Sequence, residues 1–165
     1  MKSSKHIWLA VAFIALALIV VTLYLQYVKK IPPCPLCVLQ RYAFAIIALI
    51  CLVSASMPDS IRKASAALGM LAGLDGAATA GWQLWIIAHP ATSCGRDALE
   101  ALLNALPTAT LLPSVFKVDA WALCSAVYDP IIGLSIPQWS LMWFAMLTVI
   151  LGKVLFHRTN HGDFE

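Results

Sequence analysis

Charge is what this chain has least of. Only 12% of its 165 residues are Asp, Glu, Lys or Arg, while 61% are hydrophobic and the mean hydropathy is +0.84. An ordinary soluble domain, with about a quarter of its residues charged, is excluded. A basic stripe is also missing: the net charge of +3 is spread over chain ends and loops, which argues against nucleic acid as a partner. No small-x-small cleavage site follows the first apolar run before Tyr24-Leu25-Gln26-Tyr27, so that run reads as a retained helix rather than a signal peptide. Among the cysteines, no histidine follows Cys37, which removes c-type haem attachment. No second close cysteine pair exists to complete a structural zinc site, because Cys94 and Cys124 are 30 positions apart. We therefore expect no metal.

What is there is apolar and helical. Four runs, at about 7–28, 37–56, 64–88 and 139–156, each approach the roughly 20 residues that cross a bilayer core. The expected fold is all-α: a single polytopic membrane domain over 1–165, a four-transmembrane-helix bundle. Its loops are a short one at about 29–36 and a long one at about 89–138. Trp8, Tyr24, Tyr27, Trp139 and Trp143 fall where interfacial anchors belong. Between the second and third runs, Met57 to Lys63 reads as a tight polar turn. In the third, Gly69, Gly73, Ala77 and Gly81 recur every fourth position and offer one smooth face to a neighbouring helix. Within the long loop, Leu99, Leu102, Leu103 and Leu106 are spaced for a short amphipathic helix lying in the interface.

Four spans put both termini on one side. Lys2, Lys5, Arg62, Lys63, Lys153 and Arg158 lie there, against Lys29, Lys30, Arg41, Arg96 and Lys117 on the other. Because a long loop counts little in the positive-inside rule, both termini are expected in the cytoplasm. Cys34, Cys37, Cys94 and Cys124 then face an oxidising compartment.

The stretch Pro32-Pro33-Cys34-Pro35-Leu36-Cys37-Val38-Leu39-Gln40-Arg41 carries the chemistry. Its prolines stiffen a loop that runs straight into the second helix, expected to begin near Cys37. A cysteine at a helix N-terminus meets free N–H groups and the positive end of the helix dipole, which favour the reactive thiolate. Arg41, four residues on, lies on the same face and adds fixed positive charge. It is also a donor fork suited to the carbonyl of a quinone head group, though a snorkelling helix-end arginine is the plainer role. A dithiol's two electrons match the reduction of quinone to quinol. Thiol–disulfide exchange at a membrane surface is thus the best-supported use of the pair. The spacing alone leaves all three complete pairings of the four loop cysteines open.

Cys34-Pro35-Leu36-Cys37 with Arg41 heading the second span, a long loop bearing Cys94 and Cys124, and Ile136-Pro137-Gln138-Trp139 opening the last span resemble the bacterial disulfide bond formation protein B (DsbB) family over nearly the whole chain. Proteins of that family, with their partner DsbA and quinone, keep the bacterial periplasm oxidising. The resemblance implies a protein dithiol:quinone oxidoreductase of the bacterial inner membrane. In it Cys34, Cys37, Cys94 and Cys124 are catalytic, and the cofactor is ubiquinone or menaquinone from the membrane pool. A periplasmic DsbA-like thiol oxidase attacks a Cys94–Cys124 disulfide at Cys94. Cys124 then exchanges with Cys34, while Cys37, beside Arg41, passes electrons to the quinone.

Other residues have competing roles. His89, at the outer end of the third span, borders the quinone or relays a proton, or is an interfacial histidine with neither task. Gln40 is placed to help position the head group. Asp75 is an acid inside a span, favoured as a protonated group bonded to Thr79 or a neighbouring helix over a proton path. Cys51, deep in the second span, reads as a packing residue. The rival enzyme resembles vitamin K epoxide reductase, whose membrane-proximal C-x-x-C closes a later span. The rival of another class is a non-catalytic scaffold braced by static disulfides.

Overall fold

The computed structural model describes residues 2–91, 96–120 and 122–159. Among these all regular structure is helical apart from an isolated bridge between Ile131 and Leu134. Four long helices, α1 (Lys2–Val28), α2 (Pro35–Ser56), α3 (Asp59–Ala88) and α7 (Ile136–Thr159), are accompanied by three short ones, α4 (Arg96–Ala105), α5 (Pro107–Leu111) and α6 (Pro113–Phe116). Segments of α1, α2 and α7 are long and apolar enough to cross a membrane: Lys5–Val28, Pro35–Ser56 and Ile136–Phe156. Although α3 is longer, at 30 residues, its glycines together with Asp75 and Gln83 dilute its apolar character. Large apolar side chains of these three segments, such as Phe13, Leu49 and Val149, point outward, as helices facing lipid require.

Helix ends follow their residues. α2 begins at Pro35, two positions before the expected start, because proline is at home in the first turn, where its missing N–H has no partner to lose. α7 likewise starts at Ile136 with Pro137 in its first turn, and the Ser135 N–H donates to Gln138 Oε1 at 2.8 Å, half of a capping box. The expected polar turn after α2 shrinks to Met57 and Pro58, since α3 starts at Asp59. Arg62 is not a surface turn residue: it is buried and donates to the carbonyls of Ser54 (3.0 Å), which also accepts the Met57 N–H, and Ala55 (3.3 Å) at the end of α2.

The chain order α1, α2, α3, α7 is also the packing order, with the most extensive contact between α3 and α7. The small-residue face of α3 makes that contact possible, in a register shifted from the expected one. Gly69, Gly73 and Gly76 lie against Leu151, Thr148 and Phe144 of the antiparallel α7, whereas Gly81 faces open space. A side chain at Gly76 would overlap the Phe144 ring, which in turn stacks on Phe44 of α2 with centroids 4.0 Å apart. Trp8, Ala12 and Ala15 of α1 complete this core with Phe44, Ile47, Ala48, Leu147 and Leu151. Cys51 is free and buried within it, as a packing residue would be. Asp75 differs from expectation: its side chain is exposed, and the Thr79 hydroxyl donates to its backbone carbonyl at 2.9 Å, an ordinary bond between neighbouring helix turns.

The long connection folds back over the head of α2. Leu103 of α4 and Val118 bury themselves on Val38, and Tyr42 stacks on Phe116 of α6 while bonding the Thr108 hydroxyl. Two bonds fasten the stretch after α6: the Val118 N–H donates to Asn104 Oδ1 at 2.9 Å, and the Asp119 N–H to the Pro33 carbonyl at 3.1 Å. The four leucines do not act as one stripe. Leu103 is buried and Leu99 half-buried against the protein, Leu102 is exposed, and Leu106 lies beyond the end of α4 as the residue before α5.

Candidate functional site

Cys34 is extended and caps α2 with its sulfur, which accepts the Cys37 N–H at 3.2 Å. That geometry follows from the sequence: one residue ahead of Pro35, the cap must be extended, and the C-x-x-C spacing sets the capping sulfur opposite the third helical N–H. The two cysteines form a disulfide with their Cα atoms 5.1 Å apart. Cys34 is buried and Cys37 partly open. Gln83, from α3, touches both sulfurs: its Nε2 lies 3.4 Å from Cys37 Sγ and 3.6 Å from Cys34 Sγ. Its Oε1 accepts from Gln40 Nε2 at 2.8 Å, and both glutamines are buried.

A cavity opens beside the disulfide. All four long helices contribute to its wall, with Cys37, Gln40, Arg41 and Phe44 from α2, Leu25 and Gln26 from α1, Gln83 and Ile87 from α3, and Ser140 from α7. The segment carrying Val127 and Tyr128 closes another side. Burial pushes the Tyr128 phenol above its ordinary range, so it remains a neutral donor. Arg41 is 4% exposed; its Nη1 donates to Gln26 Oε1 (2.8 Å) and to the Val115 carbonyl (2.9 Å), and its Nε is buried without a partner. This is no snorkelling side chain. Its charge lies inside the protein and links α1, α2 and the end of α6.

The four expected cysteines fare differently. Cys34 and Cys37 are paired, and Cys124 is disulfide-bonded and buried in the same small cluster as Cys34, Leu36, Ile86 and Ala122. Cys94 lies outside the described residues. Arg41 stands in the cavity wall with Cys37. His89, however, is exposed at the end of α3; its ring stacks on Trp85, its Nδ1 donates to the Trp85 carbonyl at 3.1 Å, and it does not line the cavity. Sequence reasoning missed Gln83 and Gln26. Each is a polar residue in an otherwise apolar helix, a signal that a partner is needed but one that does not say which. Among the described residues no cluster of metal-ligating side chains occurs.

A helical protein with membrane-crossing segments that holds a C-x-x-C disulfide at a helix head, against an apolar cavity, is built as a membrane thiol–disulfide oxidoreductase. The comparison with known proteins makes this specific: the family model for disulfide bond formation protein DsbB matches residues 4–154. The chain belongs to that family. Disulfide bond formation protein B of Herminiimonas arsenicoxydans is 51% identical over 97% of this chain and all of its own length. Its counterpart in Cupriavidus metallidurans is 43% identical over 96% of this chain and 97% of its own. Disulfide bond formation protein B 1 of Pseudomonas syringae is 41% identical over 92% and 89%. The vitamin K epoxide reductase-like and scaffold readings give way to a membrane protein of disulfide bond formation.

Proposed function

We propose that the protein is a dithiol:quinone oxidoreductase that reoxidises a periplasmic DsbA-like thiol oxidase. One observation carries the reading: the Cys34–Cys37 disulfide lines the cavity that Arg41 also walls, and Cys34 packs in one buried cluster with Cys124. In this reading α3 is a fourth span, both termini are cytoplasmic, and the connections at 29–36 and 89–138 face the periplasm.

The cavity suits a quinone ring. Leu25, Phe44, Ile87 and Val127 offer apolar surface, while the unpartnered Arg41 Nε and the Tyr128 phenol are donors for ring carbonyls. Bound there, ubiquinone or menaquinone supplies a two-electron, two-proton acceptor. His89 would act from outside this wall, at the mouth, rather than on the ring.

The exchange steps belong to the chain's own sulfurs. A thiolate of the partner attacks Cys94 of a Cys94–Cys124 disulfide, and Cys124 leaves as thiolate. The partner's second thiol resolves the mixed disulfide and departs oxidised. Cys124 then attacks Cys34; the Cys124–Cys34 bond forms, Cys34–Cys37 breaks, and Cys37 holds the electron pair at the cavity. Cys94 closes on Cys124 and releases Cys34. Donors and positive charge near Cys37 favour the thiolate it becomes. The pairing of Cys94 with Cys124 is taken from the family resemblance.

The test uses purified protein in detergent, a short-chain quinone and a reduced thioredoxin-fold partner. Quinol should form mole for mole with oxidised partner, and Cys37→Ala should lower the rate at least about a thousandfold, since a nucleophile acting in a unit is lost. Absence of quinol from the unmodified protein would refute the reading.

A further inference from the structure

Gln83 hydrogen-bonds both sulfurs of the Cys34–Cys37 pair. Its orientation is set. An amide has one donating and one accepting end, and the accepting end is occupied by the Gln40 N–H at 2.8 Å, so the donating end faces sulfur. Both glutamines are buried, at 6% and 5% exposure, so water does not compete for these bonds.

A neutral disulfide sulfur is a weak acceptor, and a thiolate a strong one; a donor already in place therefore favours the state in which the S–S bond has opened. We propose that Gln83 is a catalytic residue of the thiol–disulfide exchange, its N–H group holding the Cys37 sulfur as it leaves with the electron pair, and that Gln40 is the positioning residue that aims it. The step balances within the chain: the Cys124–Cys34 bond forms, the Cys34–Cys37 bond breaks, and the negative charge that arrives on Cys124 ends on Cys37. The donor is present before the charge develops and does not have to reorient when it appears, which is how preorganised donors lower a barrier. This inference rests on the relay proposed above for the identity of the attacking thiol. It does not depend on the electron acceptor.

The alternative is that the two glutamines only satisfy each other where α2 and α3 pack. That role would cost stability on mutation but leave the sulfur chemistry alone. The experiment therefore reads two quantities on the purified full-length protein in detergent: the equilibrium of the Cys34–Cys37 disulfide with glutathione, followed at each cysteine by alkylation and peptide mass, and the iodoacetamide alkylation rate of reduced Cys37 at pH 7. In Gln83→Met the equilibrium constant for reduction should fall about tenfold, a potential about 30 mV more negative, and alkylation should slow by a similar factor. Gln40→Met should move both the same way by about threefold, because the Gln83 amide is then free to turn. If Gln83→Met loses its helicity, Gln40→Met carries the test. Changes below about twofold in the folded variants would overturn the proposal. Neither measurement contains quinone, so a protein that makes no quinol yet shows these shifts would lose the acceptor reading and keep this one; normal quinol formation with unshifted constants would do the reverse.

Discussion

The contact of α3 with α7 and the head of α2 are held by opposite means. Between α3 and α7 three glycines admit Leu151, Thr148 and Phe144 to backbone distance, and cohesion is van der Waals packing, the term left when lipid is as apolar as the side chains. At the head of α2 the work is polar: Arg41 to Gln26 and Val115, Gln40 to Gln83, Asn104 to Val118, and Asp119 to Pro33. The first region fails when atoms are added. The second fails when a partner is removed and a buried group is left unsatisfied.

Three substitutions, the first with a control beside it, sharpen this contrast. The largest effect is expected of Gly76→Leu, which drives a side chain into Phe144: about 3 kcal/mol lost in unfolding titrations in mixed micelles, against little change for Gly81→Leu, where space is open. Equal losses at the two positions would mean that close approach to Phe144 does not govern the packing of α3, since leucine is the better helix former at both. Next comes Arg41→Ala, at about 2 kcal/mol for charge-assisted bonds, with an apparent KM for quinone raised about tenfold. An unchanged KM with the same stability loss would reduce Arg41 to a strut between α1, α2 and α6. Smallest is Asn104→Ala, at about 1 kcal/mol. Limited proteolysis between α6 and α7 should then run about fivefold faster, with the bundle intact; an unaltered rate would show that Leu103 and Tyr42 alone hold the connection down.

Much of this was legible in the sequence, and the shortfall has a common cause. The C-x-x-C at a helix head follows from proline and cap chemistry, and the long helices from apolar runs. The glycine repeat announces a close neighbour, but Gly76, outside that repeat, meets Phe144 while Gly81 faces open space, because the contact register drifts with the 3.6-residue turn. Arg41 was placed on the Cys37 face by its i+4 spacing, yet its bonds go to α1 and to Val115, 74 positions away, which no local rule reveals. Gln83 was invisible for the same reason: its partner Gln40 is 43 positions distant and becomes its neighbour only when α2 packs on α3. Asp75 is exposed and His89 stacks on Trp85, placements that residue type in an apolar run does not reveal.

The cap of α2 has a consequence for electron flow. The Cys37 N–H already points at Cys34 Sγ in the disulfide, and the same N–H remains a good partner for a Cys34 thiol or thiolate. Opening the bond thus neither strands a helix-terminal donor nor asks the first turn to unwind. The oxidised and reduced proteins can share one backbone, and the reorganisation that accompanies each turnover is confined to the sulfurs and their amide neighbours.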